Sequence, residues 1–157
     1  SGYAAGVKHG NILYLAHPVF SIYRGWGNVP LAEYARNAIR LLLGETQLET
    51  NLPSTARVSL MEQPAEKRAV LHLLYANTIN RGGPLNVNGV TSRGAIEVIE
   101  ELLPLHDVKV TIKPRKSVKK LTLEPQGTGV LFSVAEDGRI SFKLDQFTCH
   151  QMVVMHY

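Results

Sequence analysis

Val130-Leu-Phe-Ser-Val-Ala-Glu-Asp-Gly-Arg-Ile-Ser-Phe-Lys-Leu144 is the stretch on which the fold turns. Val130, Phe132 and Val134 recur at two-residue spacing, Glu136-Asp-Gly-Arg139 interrupts them, and Ile140, Phe142 and Leu144 resume the period. Side chains alternate between faces along a strand, so each run has one apolar face to bury. An Asp-Gly pair between two such runs is a strong hairpin signal, because glycine reaches positive φ without steric cost. An antiparallel hairpin is expected here.

The two-residue period extends outward. Val108, Val110 and Ile112 alternate with Asp107, Lys109 and Thr111, and Leu121 and Leu123 continue past a basic turn. Ala56, Val58 and Leu60 alternate with Arg57, Ser59 and Met61; Glu62-Gln-Pro-Ala-Glu66 reads as a turn, and residues 69–76 as a deeply buried second strand. Residues 80–93, rich in Gly, Asn and Ser, read as a long exposed loop. Residues 149–157 are expected to be a closing strand. That makes about seven short strands, the number of an immunoglobulin-like antiparallel β-sandwich. The expected fold is mainly β, with the sandwich over residues 52–157.

Residues 1–48 follow a different pattern. Gly10-Asn11 reads as a turn, and residues 12–16 (ILYLA) as a strand apolar enough to be buried on both faces. Pro18 and the glycines around Trp26 predict a loop over residues 21–28. Leu31, Ala35, Ala38, Ile39 and Leu42 then recur at helical spacing, with Pro30 suited to a first turn and Gly44 to the stop. A strand-loop-helix unit alone cannot make a doubly wound domain, so it is expected to be the remnant of an α/β (flavodoxin-like) domain. Residues 45–54 read as the linker.

Composition narrows the function classes. Of 157 residues, 45% are hydrophobic and 19% charged, which argues against disorder. The longest apolar runs fall far short of the roughly 20 residues of a membrane span. The first six residues lack the basic and apolar regions of a signal peptide and read as a domain cut. The net charge is +4, and much of the excess lies in Lys109, Lys113, Arg115, Lys116, Lys119 and Lys120. No Phe, Tyr or Trp is interleaved with them, which argues for a solvated loop and against a nucleic-acid surface. The single cysteine, Cys149, rules out an internal disulfide and points to a reducing, cytoplasmic setting.

Few residues offer chemistry. His9, His17, His72, His106, His150 and His156 are scattered without zinc-site spacing, so neither a metal nor a cofactor is expected. His72, in phase with Val70 and Leu74, is expected to be a core histidine bonded to a backbone carbonyl. Glu97, Glu100 and Glu101 lie close together but read as an exposed edge, not as the paired carboxyl groups of a glycosidase. Ser21, Ser54, Ser59, Ser92 and Cys149 lack nucleophile contexts. No catalytic residue is assigned. The loop carrying His17, Phe20, Tyr23 and Trp26 leaves the end of an α/β strand, where such sheets place ligand crevices. Its alternative roles are a sugar platform built on Tyr23 and Trp26 with His17, or an aromatic interface to a neighbouring domain or subunit.

The order of several segments carries a family resemblance. They are Gly10-Asn-Ile-Leu-Tyr-Leu-Ala-His-Pro-Val-Phe20 with the helix ending before Gly44, Leu52-Pro-Ser-Thr-Ala-Arg-Val-Ser-Leu60, and Lys67-Arg-Ala-Val-Leu-His-Leu-Leu-Tyr75. Ala95-Ile-Glu-Val-Ile-Glu100, Pro104-Leu-His-Asp-Val108, Val118-Lys-Lys-Leu-Thr-Leu-Glu-Pro-Gln126 and His150-Gln-Met-Val-Val154 follow. Together they resemble the C-terminal part of bacterial β-galactosidase-like glycoside hydrolases. In those enzymes a catalytic (β/α)8 barrel is followed by a glutamine-amidotransferase-like trimerisation domain and a β-sandwich. The resemblance implies a non-catalytic structural and assembly region, inactive alone because the catalytic carboxylates belong to the barrel. It also implies the other domains of the enzyme as partners and a homo-oligomer. The alternative is a carbohydrate-binding module with an aromatic platform.

Overall fold

The computed structural model describes residues 4–91 and 94–157. Of the expectations above, those on Ser1-Gly2-Tyr3 and on Ser92 and Arg93 lie outside the described residues. The chain divides into two compact units, Ser1–Gln47 and Leu48–Tyr157.

The first unit holds strands β1 (Gly6–His9) and β2 (Ile12–Leu15) and helices α1 (Val19–Trp26) and α2 (Val29–Leu43). β1 and β2 form an antiparallel hairpin across Gly10, whose φ of 56° suits the turn expected there. β2 is not buried on both faces. Leu13 and Leu15 are half-buried while Ile12 and Tyr14 are exposed, because within this unit only one side of the hairpin is covered. α2 runs as its periodicity predicts, with Pro at its first turn and Gly44 closing it by donating its N–H to the Arg40 carbonyl. The Lys8 ammonium donates to the Leu41 carbonyl at 3.0 Å and ties β1 to the last turn of α2.

The expected loop over residues 21–28 is instead largely α1. Val19 and Ile22 face inward, and Gly27 (φ 61°) is the left-handed cap whose N–H bonds the Tyr23 carbonyl. Of the two glycines that read as loop chemistry, Gly27 stops the helix and Gly25 is tolerated inside its last turn. Packing against α2 outweighs a glycine penalty of about 1 kcal/mol.

The second unit is the expected antiparallel β-sandwich. Its strands are β3 (Leu48–Thr50), β4 (Arg57–Gln63), β5 (Arg68–Leu74), β6 (Thr78–Arg81), β7 (Asn86–Val87), β8 (Val90–Thr91), β9 (Ile96–Ile99), β10 (Leu105–Ile112), β11 (Lys120–Glu124), β12 (Thr128–Val130), β13 (Phe132–Val134), β14 (Ile140–Phe147) and β15 (His150–His156). One sheet runs β13-β14-β10-β3 and the other β12-β11-β15-β5-β4. Between them lies the core, built from Ala69, Leu71 and Leu73 of β5, Val108, Val110 and Ile112 of β10, Ile140, Phe142 and Leu144 of β14, and Val153 and Met155 of β15. Those of β10 and β14 are the residues the two-residue period placed on one face, whereas β5, expected to be buried throughout, turns only alternate residues inward.

The hairpin that opened the reading is formed by β13 and β14, with Phe132 opposite Phe142 and Gly138 at φ 80°. The run 130–134 divides: β12 pairs with β11 in one sheet, β13 with β14 in the other, and Leu131 at the crossing is 94% exposed. β3 lies inside the segment expected as linker. It adds to β10, and the Asn51 side chain extends the ladder, donating to the Asp107 carbonyl at 3.0 Å and accepting the Lys109 N–H at 2.7 Å. The expected long loop holds one small hairpin, β7 with β8, closed by Asn88-Gly89 with φ of 52° and 81°, and a pairing of β6 with β9 ties its two ends together.

At one end of the sandwich the Tyr157 hydroxyl donates to the Glu62 carboxylate at 3.2 Å, and the Lys116 ammonium lies 5.8 Å from the ring centre. Burial, with the Glu62 charge behind it, pushes the Tyr157 phenol up to about 12. Among the described residues, no helix is long and apolar enough to cross a membrane.

Candidate functional site: an aromatic helix face and a histidine pair

α1 gathers the aromatic residues of the first unit. Phe20, Tyr23 and Trp26 follow one another at three-residue spacing, which on a helix keeps them within about a third of the circumference. They are 62%, 43% and 84% exposed, although Tyr23 and Trp26 share a helical face with Val19 and Ile22: cover ends after the first turn of α1, and the rings beyond it are left open. The structure thus brings Tyr23 and Trp26 to one surface, where Phe20 joins them. His17 stands ahead of the first turn, exposed, its carbonyl accepting the Val19 N–H at 2.8 Å. Nine residues, about two and a half helical turns, separate it from Trp26.

Each ring carries an apolar face large enough to bury 150–250 Å² when covered, about the scale on which sugars stack or protein interfaces are anchored. More apolar surface lies elsewhere in the unit. Ile12 and Tyr14 on β2, and Ile39, Leu41, Leu42 and Leu43 on α2, are exposed. A soluble monomer rarely leaves so many large apolar side chains uncovered on so small a unit.

The carboxylates considered for catalysis are placed otherwise. Glu97 lies on β9, and Glu100 just beyond it forms an ion pair with Arg81 at the end of β6. Lys143 and Asp107 form a second exposed pair, and the Lys143 ammonium holds the Asp107 carboxyl below its ordinary value. Among the described residues, no group of three or more His, Cys, Asp and Glu side chains is placed to hold a metal ion.

His72 is not a core histidine. β5 turns Ala69, Leu71 and Leu73 into the sandwich, which puts His72 on the outer face of the five-stranded sheet. Its partner is not a carbonyl but the imidazole of His150 on neighbouring β15, with Nδ1 of His72 3.1 Å from Nε2 of His150. The ring planes differ by 2° and the centroids are 5.3 Å apart. That separation is near the largest available to two imidazoles joined through those nitrogens. The rings therefore lie edge to edge in almost one plane, one donating a single N–H to the other. Arg57, Val58, Ser59, Met61 and Leu74 complete an open groove around the pair of about 500 Å³. Sequence reasoning missed this pair because 78 residues separate its members. With residues 69–76 read as buried throughout, neither the outward face of His72 nor the register bringing β15 beside β5 was expected.

No protein-family model matches the chain, and no curated protein matches it either. Among solved structures it is similar to α-L-fucosidase isoenzyme 2 from Paenibacillus thiaminolyticus, a glycoside hydrolase, with 37% sequence identity and a TM-score of 0.85. The match covers 99% of this chain and 22% of that enzyme, so the chain spans about a fifth of the enzyme's length.

Proposed function

We propose that this chain is a non-catalytic structural and assembly region of a glycoside hydrolase whose catalytic barrel lies outside the 157 residues. The single observation carrying the reading is the match of nearly the whole chain, both units in one order, to about a fifth of a fucosidase at 37% identity. An α-L-fucoside is the substrate class that follows for the parent enzyme. The arrangement expected from β-galactosidase-like enzymes, a barrel followed by an amidotransferase-like domain and a sandwich, supplies the order of its parts. In this reading the uncovered apolar surface of the first unit meets the remaining domains of the enzyme or a second copy of the assembly.

The test is hydrolysis of aryl α-L-fucosides and aryl β-galactosides by the chain alone. No turnover above buffer is expected, since paired carboxyl groups across a sugar are needed and none is assigned. Hydrolysis that disappears in Glu97→Gln, Glu100→Gln or Glu101→Gln would overturn the reading.

A second reading, a carbohydrate-binding module, is favoured by one observation: Phe20, Tyr23 and Trp26 stand exposed on one face of α1. Quenching of Trp26 fluorescence by L-fucose or a fucosylated oligosaccharide would support it. An unchanged spectrum at millimolar sugar, with association through the same face, returns the stripe to assembly.

A further inference from the structure

We propose that His72 and His150 form a two-imidazole chelating site for a late first-row transition-metal ion, copper above all, on the outer face of the five-stranded sheet. The donor separation is the first argument. A metal held by imidazole nitrogens at about 2.0–2.1 Å places two neighbouring ligands about 2.9 Å apart at a right angle and about 3.4 Å apart at the tetrahedral angle. The observed 3.1 Å falls between these values. Both nitrogens already face each other across a single shared proton. A metal ion takes that proton's place when each ring turns by about 40°, the angle that metal–nitrogen bonds of about 2.05 Å make with a 3.1 Å nitrogen–nitrogen line, and the displaced proton moves to the far nitrogen of its own ring; β5 and β15 are already neighbours in one ladder.

The surroundings indicate which metal. Two of the three methionines share this outer face with the pair: Met152 lies directly opposite His72 in the β5–β15 register, and Met61 lines the groove from β4. The third, Met155, is buried in the core. Imidazole suits copper and zinc alike, but thioethers add affinity for copper, and copper leads the divalent series in any case. The one cation lining the groove, Arg57, directs its guanidinium to the Thr55 and Ala56 carbonyls, both at 3.4 Å. His150 is exposed and His72 half-buried, so water can complete the coordination shell.

The whole chain is titrated with Cu²⁺ or Zn²⁺ at neutral pH, with heat release and, for copper, electron paramagnetic resonance as readouts. One Cu²⁺ per chain is expected, bound more tightly than Zn²⁺, with hyperfine coupling to two nitrogens. His72→Asn and His150→Asn should each lower affinity at least about tenfold, a loss that even outer-shell changes reach at metal sites. His106→Asn, on the other sheet, should leave affinity unchanged. Both changes lie on an outer face, so an unaltered thermal midpoint separates loss of metal from loss of fold. Coupling to a single nitrogen, binding that survives the His72→Asn/His150→Asn double change, or no saturable Cu²⁺ binding would each overturn the site. Met61→Leu with Met152→Leu should weaken Cu⁺ binding and spare Cu²⁺; equal Cu⁺ affinity removes the thioethers from the proposal.

Discussion

The two units of this chain deal with apolar surface in opposite ways. The sandwich encloses it: fourteen buried side chains from facing sheets form one cluster. In the first unit, among the described residues, only Val19, Ala35 and Ala38 are buried hydrophobics, and a comparable set of large side chains faces outward. The difference lies in architecture more than in composition. Two packed sheets close a core between them, whereas a two-stranded hairpin and two helices leave faces open. A closed core sets stability; an open one sets what the unit must meet.

The largest effect that sharpens this contrast is expected in the core. Leu71, fully buried on β5, should cost about 2–5 kcal/mol on change to alanine, read from the urea midpoint. A loss under 1 kcal/mol would mean that the sandwich is not the cooperative unit.

A cut at the boundary comes next. A chain running from Leu48 to Tyr157 should unfold in one cooperative step near the midpoint of the parent. One starting at residue 52 loses β3 and the half-buried Leu48, and should fall by about 1–3 kcal/mol. Equal stability of the two truncations would show that β3 is ornamental.

Tyr157 offers a probe belonging to the second unit alone. Its phenol is raised above the ordinary value by burial first and by Glu62 second. The folded value lies above the unfolded one, so the contribution to stability is whole below about pH 10 and is lost as pH rises toward about 12. An ultraviolet titration should show one late-ionising tyrosine, absent in Tyr157→Phe. If the latest tyrosine persists in that variant, the Glu62 contact does not hold in solution.

The smallest stability effect is expected where the unit is open. Trp26→Ala should change unfolding free energy by less than about 0.5 kcal/mol, because little of the ring is covered. The same change should reduce self-association in light scattering. A loss of several kcal/mol would place Trp26 in a core and remove the contrast.

Sequence reasoning succeeded where structure is local and periodic. Asp137-Gly138 between alternating runs, Pro30 and Gly44 around a helical period, and Gly10 in a turn each carry their own instruction. It failed where the deciding contact is distant. Thr50 is a strand residue only because Val110 lies beside it, and the outward phase of His72 gains meaning only from His150. Two misses were avoidable. Asn88-Gly89 is a hairpin signal of the same kind as Asp137-Gly138, hidden by the polar residues around it. The spacing of Val19, Ile22, Tyr23 and Trp26 is helical, and Gly25 and Gly27 drew attention away from it.

The placement of β15 bears on how the sandwich is made during synthesis. Residues 150–156 form the strand between β5 and β11, so the five-stranded sheet has a gap at its middle until they have left the ribosome. β4 and β5 can pair early as a local hairpin, but the free edges of β5 and β11 must wait for β15, translated more than seventy residues after β5. Such non-local pairing is slow, because the intervening chain must be ordered before the contact rewards it. The first unit, whose pairings are all near in sequence, would be in place while the sandwich is still an incomplete sheet with bare edges. The nascent chain is therefore most exposed to misassociation in that interval, and a nonsense codon just ahead of residue 150 would yield a product with no sheet centre.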